Sequence, residues 1–161
     1  MFQSSSLARA TARALGTMAV FAATLAHADD RPRDAVALGR YLVKTAGCND
    51  CHSPGYTQNA GSTPEATWLT GDSLGWQGPW GTTYATNLRL FIAGLTEKQW
   101  LAHARKMESR PPMPWFNVRA MTDGDLTAIY RYVKAAGPAG NPAPAYAPPG
   151  QSVAGPVVRM Q

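Results

Sequence analysis

Residues 48–52 read Cys-Asn-Asp-Cys-His, and this short segment decides how the rest of the chain is interpreted. Two thiols three positions apart on one local turn can each add to one of the two vinyl groups of a haem. The imidazole of His52 then comes under the iron and can bind it as the proximal ligand. C-x-x-C-H is the pattern of c-type haem attachment. The sequence therefore predicts one haem c, bound covalently through Cys48 and Cys51.

Three other interpretations compete for the same two cysteines. A structural zinc site needs four ligands, and outside this segment only His103 and a few carboxylates remain as candidates. A redox-active C-x-x-C favours a strand-to-helix setting, and no strand pattern precedes Cys48. A plain disulfide is the simplest alternative. Haem attachment is favoured because the motif, the export signal and the long segment that follows all agree with it.

A second axial ligand is sought among the methionines and the remaining histidine. Met113 lies in a loop between Pro112 and Pro114, and these prolines lower the entropy lost in holding a flexible side chain at a metal. The other candidates lie on predicted helices, in a helix-packing position or near the C-terminus: Met107, His103, Met121 and Met160. We therefore expect Met113 to be the sixth ligand, with His103 as the next candidate. A thioether raises the reduction potential, whereas a second imidazole lowers it.

Three helices are predicted around the motif. Apolar residues at helical spacing predict the first over Asp34–Thr45, with Asp34 as its N-cap. A capping-box pattern starts the second at Thr96. The third begins at Thr122 and ends at Gly137-Pro138.

Residues 53–94, between the first two helices, show no strong period. They are rich in Gly, Thr and aromatic residues. So long a structureless segment is uncommon in a compact domain unless it encloses something large and apolar. We expect it to wrap the haem. The alternative is a pair of short helices or strands whose pattern is too weak to read.

The two ends of the chain differ from the part between them. Arg9 and Arg13, an uncharged run and then Ala26-His27-Ala28 predict an export signal that is cleaved after Ala28. A membrane anchor is the alternative, but the run is short for a span. Export places the mature chain in an oxidising compartment, expected to be the periplasm. The expected organisation is a signal peptide over 1–28, a haem domain over 29–136 and a Pro/Gly-rich extended tail over 137–161.

Charge and composition exclude several functions. The net charge of +5 falls to +3 when Arg9 and Arg13 leave with the signal, which is too weak and dispersed for nucleic-acid binding. The mature chain contains no stretch of eighteen apolar residues, so we expect no membrane-spanning segment in it. Two cysteines exclude a disulfide-rich scaffold.

Further motifs accompany C-x-x-C-H over about residues 35–136: Leu38–Leu42, Trp68–Gly71, Gly81–Leu88, Met113-Pro114-Trp115 and Met121–Leu126. With them the chain resembles a class I c-type cytochrome, and more closely the cytochrome c domains associated with bacterial periplasmic dehydrogenases. The resemblance implies an all-α cytochrome c fold with three main helices around one haem and a long haem-wrapping loop. It also implies that the first and last helices cross, with Gly39 against Ile129 or Tyr132, and that the axial methionine is Met113.

A haem iron held by His52 and Met113 has no open coordination position, so it exchanges electrons and does not readily bind oxygen or peroxide. We expect a carrier of single electrons between a periplasmic dehydrogenase and a downstream cytochrome or terminal oxidase, and not an enzyme. The alternatives are a haem enzyme (a peroxidase or small-molecule oxidase) and a haem sensor, each with a labile sixth ligand. The expected apolar wall is formed by Trp68, Trp80, Trp115 and Phe116. The expected contacts to the haem propionates come from Tyr84, Asn87 and Arg89.

Overall fold

The computed structural model describes residues 35–161, which form six helices, one 3₁₀ turn and three strands. In chain order these are α1 (Ala35–Thr45), α2 (Cys48–His52), the 3₁₀ turn (Glu65–Thr67), β1 (Gly75–Gly78), β2 (Gly81–Tyr84), α3 (Leu88–Ala93), α4 (Glu97–Lys106), α5 (Trp115–Ala120), α6 (Asp123–Ala136) and β3 (Val157–Arg159). The predicted signal peptide and the predicted N-cap Asp34 lie outside the described residues.

The expectation of an all-α fold is wrong, because the described residues include a three-stranded mixed sheet of order β2-β1-β3. β1 and β2 form an antiparallel hairpin in which Gly78 faces Gly81. β3 pairs parallel to β1. Each strand has only three or four residues, too few to show an alternating pattern. In addition, β3 comes from the Pro/Gly-rich C-terminal segment, whose composition predicted only extended chain.

The expectation of a long irregular loop over residues 53–94 is also wrong. This segment contains the 3₁₀ turn, the hairpin and α3. Helix α3 begins where the side chain of Asn87 accepts a hydrogen bond from the backbone N–H of Leu90, at 3.0 Å. The alternative of short helices and strands describes this region.

The three helices expected from the sequence are confirmed as α1, α4 and α6. Both α4 and α6 begin with a complete capping box, formed by Thr96 with Gln99 and by Thr122 with Asp125. Gly137 ends α6 with a φ of 71°, in the left-handed region that glycine tolerates. These boundaries are encoded locally, which is why the sequence predicts them.

Helices α1 and α6 cross at Gly39, as the resemblance implied. A Cβ at Gly39 would lie 2.6 Å from the carbonyl carbon of Ala128 and 2.7 Å from Cβ of Tyr132. The glycine therefore permits a close backbone approach. The nearest neighbours of Gly39 are Ala128 and Tyr132, and Tyr132 is one of the two partners that the resemblance implied.

The hydrophobic core lies between these crossing helices, α4 and the segment before β1. The indole Nε1 of Trp100 donates to the carbonyl of Leu126 at 2.8 Å, which joins α4 to α6. The buried members of the core are Val43, Tyr56, Trp68, Leu69, Ile92, Trp100, Ala104, Leu126, Ile129, Tyr132 and Val133. No helix among the described residues is long and apolar enough to cross a bilayer.

Residues 137–161 belong to the same compact unit as the helices. Ala147 exchanges two backbone hydrogen bonds with Thr82, at 2.8 and 3.0 Å. Further along, β3 pairs with β1. The segment therefore contacts both edges of the hairpin, with Ala147 beside β2 and β3 beside β1.

Candidate cofactor site

The motif Cys48–His52 forms the short helix α2, directly after α1. Gly47 turns the chain between the two helices with a φ of 76°, a backbone conformation that favours glycine. Asn49 and His52 are buried, while Cys48 and Cys51 are half-buried. The single turn thus holds both thiols and the imidazole against the body of the protein.

The imidazole of His52 is oriented by one hydrogen bond. Its Nδ1 lies 2.7 Å from the carbonyl oxygen of Thr86, and since a carbonyl only accepts, Nδ1 carries the proton. The lone pair is then on Nε2, the atom available to a metal. Burial lowers the pKa of His52, against the opposing effect of the Thr86 carbonyl. The ring is therefore held in the neutral form that binds metals.

The two cysteines are free thiols. Burial raises the pKa of Cys48 to about 11, and burial likewise raises the pKa of Cys51. Redox-active C-x-x-C pairs have the opposite property, a lowered pKa that exposes a thiolate. This pair is therefore unlike a redox dithiol, and it is not a disulfide.

The structure also bears on the zinc alternative. Within residues 35–161, no group of three or more His, Cys, Asp or Glu side chains is arranged to hold a metal ion. A structural zinc site needs four such ligands. The two thiols and the imidazole on α2 therefore do not form such a group either.

Met113 lies in the loop between α4 and α5 and is half-buried. Local hydrogen bonds shape the loop: Met113 N donates to the carbonyl of Arg110 at 3.3 Å, and Trp115 N donates to the carbonyl of Met113 at 2.9 Å. The loop is joined to β2 by Thr83, whose hydroxyl donates to the carbonyl of Pro111 at 2.7 Å.

The other methionines and His103 have different surroundings. Met107 and Met121 end helices α4 and α5, and Met121 packs against the core. Met160 is 37 % exposed in the C-terminal segment. His103 is exposed on α4, with its ring 5.0 Å from that of Phe91. Among these candidates, only Met113 lies in a loop tied to the strand that leads to Thr86.

The four residues expected to form an apolar wall differ in burial and do not share one environment. Trp68 is a core residue, in edge-to-face contact with Tyr56 at 5.8 Å. Phe116 is 59 % exposed. Trp80 and Trp115 are half-buried, and neither belongs to the core cluster. Of the four, these two remain candidates for the wall.

Two of the three residues expected at the propionates have structural roles. The amide nitrogen of Asn87 donates to the carbonyls of Ala139 and Asn141, at 2.8 and 3.1 Å. The buried guanidinium of Arg89 donates to the carbonyls of Ala136 and Gly137, at the C-terminus of α6. Both side chains therefore fasten the C-terminal segment. Tyr84 is half-buried at the end of β2.

Sequence reasoning missed Thr83 and Thr86. Thr86 acts through its backbone carbonyl, which any residue type provides, so its identity carries no signal. Thr83 acts through its hydroxyl, but one threonine among several is equally uninformative until the hairpin is known. The sequence motif Gly81–Leu88 does mark the segment that contains them.

The residues present fit a covalently attached haem. The candidate donors are two free thiols, an imidazole with Nε2 available and the thioether of Met113 in the loop between α4 and α5. Four buried side-chain atoms have no hydrogen-bond partner in the described part of the chain: Asn49 Nδ2, Thr63 Oγ1, Trp80 Nε1 and Arg119 Nε. Buried donors of this kind need an acceptor, and the two carboxylates of a haem are acceptors.

No family model matches this chain, and comparison with curated proteins and with solved structures gives no match.

Proposed function

We propose that this chain is an exported electron carrier with one covalently bound haem, in the manner of a c-type cytochrome. The thiols of Cys48 and Cys51 would hold the group. Each S–H would add across one vinyl double bond, forming one C–S and one C–H bond, and no oxidant would be consumed. His52 and Met113 would be the axial ligands. When bound, the haem supplies a one-electron couple between ferric and ferrous iron.

The observation that carries this proposal is the geometry of His52. Its Nδ1–H is held by the Thr86 carbonyl, which leaves Nε2 as the free atom. Metal-binding histidines almost always donate their other N–H to a carbonyl, a carboxylate or water. Here that arrangement occurs next to two free thiols at the spacing of haem attachment.

The two proposed ligands would restrict the chemistry to electron transfer. If His52 and Met113 both bound the iron, no coordination position would be left for oxygen or peroxide. The neutral thioether of Met113 favours ferrous iron and therefore a higher potential. The donor would be a periplasmic dehydrogenase, and the acceptor another cytochrome or a terminal oxidase. Weak redox encounters of this kind bury less than about 1,200 Å² in total.

The test is a visible spectrum and a redox titration of the protein purified after export. The expected oxidised form is low-spin with a far-red sulfur-to-iron charge-transfer band, and it titrates reversibly with one electron. A high-spin oxidised form that binds cyanide on mixing would contradict a carrier and favour a haem enzyme or sensor. A colourless protein would contradict haem binding.

A further inference from the structure

The hydroxyl of Thr83 makes a long-range contact to the Met113 loop. Its Oγ1 lies 2.7 Å from the carbonyl oxygen of Pro111 and 3.4 Å from that of Trp76. A threonine hydroxyl has one hydrogen to donate, so the shorter contact receives it. The partners are 28 residues apart in sequence. This bond therefore connects two elements that the chain does not place together locally.

Few other contacts hold the loop. Among the described residues, Thr83–Pro111 is the one hydrogen bond that joins residues 110–114 to a remote segment; the others are local. The guanidinium of Arg110 also stacks on the ring of Tyr146, at 3.8 Å from its centroid. The Met113 loop thus depends on the hairpin and on the C-terminal segment for its position.

The strand that carries Thr83 is itself well fixed, and it leads to the other candidate ligand. β2 is paired with β1 on one edge and with Ala147 on the other. Three residues after Thr83, the carbonyl of Thr86 holds His52. Residues 83–86 therefore contact both the Met113 loop and the ring of His52.

We propose that Thr83 is a positioning residue that holds the Met113 loop so that the thioether stays at the iron. The inference rests on the proposed function. Thr83 does not touch the cofactor in this account, and it acts through the carbonyl of Pro111. Loss of its hydroxyl would leave the fold intact, because valine has nearly the same shape and favours a strand. Without this hydroxyl, the loop would be free to move Met113 away from the iron.

The test measures the rate at which cyanide replaces the methionine in the oxidised protein. The loss of the sulfur-to-iron band reports this reaction. Thr83→Val should react about 3- to 10-fold faster than the unmodified protein, the range that one hydrogen bond supplies. Thr83→Ser keeps the hydroxyl and should react within about twofold of the unmodified protein. The matched control is Thr67→Val, because the hydroxyl of Thr67 also donates to a proline carbonyl, that of Pro64 at 2.8 Å.

The outcomes separate the two proposals. Unmodified protein without haem would contradict the proposed function. Haem-loaded, low-spin protein whose Thr83→Val variant reacts at the unmodified rate would contradict only the role of Thr83, as would an equal acceleration in Thr67→Val. Should Thr83→Val fail to acquire haem, Thr83→Ala replaces it in the comparison with Thr83→Ser, and equal rates of those two would again overturn the inference.

Discussion

The two sides of the candidate site are built in different ways. On one side, His52 is buried on a helix that directly follows α1, which crosses α6 at Gly39. On the other side, Met113 is half-buried in a loop joined to β2 by the Thr83–Pro111 hydrogen bond. Under the proposed function, these two sides would have different roles. The helical side would provide fixed attachment of the haem, and the loop side would provide a ligand whose position depends on single contacts.

Replacement of Met113 itself should have the largest effect on the loop side of the site. Met113→Ala removes the thioether, so the far-red sulfur-to-iron band should disappear and the reduction potential should fall. The haem should remain attached, because Cys48, Cys51 and His52 belong to the other side. The visible spectrum and a redox titration measure both effects.

Met121→Ala is the matched control for that variant. Met121 is half-buried and ends α5, only a short distance along the chain from Met113, but it packs on the core. Its replacement should lower the free energy of unfolding and leave the band in place. Loss of the band in Met121→Ala, with retention in Met113→Ala, would show that the ligand is assigned wrongly.

The helical side should be most sensitive at the α1–α6 crossing. In Gly39→Ala the added Cβ would meet the backbone of Ala128 at 2.6 Å, and backbone cannot move aside as a side-chain end does. We expect a loss of about 3 kcal/mol in the free energy of unfolding, the upper part of the usual overpacking range. Urea denaturation followed by circular dichroism measures it.

Gly124→Ala provides the comparison on the same pair of helices. Gly124 lies in the first turn of α6 and its nearest neighbour for a Cβ is 3.7 Å away, so alanine fits there. This variant should be unchanged or more stable by about 0.4–1 kcal/mol. Equal destabilisation of the two variants would contradict a close crossing at Gly39.

Removal of β3 tests whether the C-terminal segment supports the Met113 loop without affecting haem attachment at α2. A chain ending at Ala154 lacks the parallel strand beside β1 and should lose about 1–2 kcal/mol, the net worth of a few hydrogen bonds. Cyanide should replace Met113 faster, while the haem stays attached at α2. Unchanged cyanide kinetics would show that the hairpin holds the loop without β3.

The smallest effect is expected at the rim of the helical side, where Glu65 joins α1 to α6. Its carboxylate accepts from Arg40 Nε at 2.8 Å and from the hydroxyl of Tyr132 at 2.9 Å. The hydrogen bond from Arg40 holds the pKa of Glu65 below its ordinary value of 4.5. A lowered carboxylate pKa adds stability above the ordinary value, and this stability is lost as the pH falls through the folded-state value.

Glu65→Gln should therefore be slightly less stable than the unmodified protein at pH 7, and the difference should shrink as the pH falls through the lowered pKa of Glu65. Denaturation at pH 7 and over a series of falling pH values measures it. Glu108→Gln is the control, because Glu108 pairs with Arg119 at 3.4 Å and is 72 % exposed. A difference that persists at low pH would mean that shape, and not charge, explains the effect of Glu65.

How far the sequence predicts this molecule depends on how local each feature is. The capping boxes at Thr96 and Thr122 and the turn at Gly137 lie within the elements they define, so α4 and α6 are predicted with their ends. The hairpin is missed because β1 and β2 have only four residues each, and β3 is missed because no local pattern encodes its pairing with β1. Arg89 is misread for the same reason: its partners, at the end of α6, are 47 and 48 residues away.

The central claim is that Cys48 and Cys51 carry a haem, and the intact mass of the exported chain tests it most directly. The measurement is made on denatured protein, before and after treatment with a thiol-alkylating reagent. The account predicts the mass of the mature chain plus one haem, with neither cysteine alkylated. The mass of the bare chain, together with alkylation of both thiols, would contradict it.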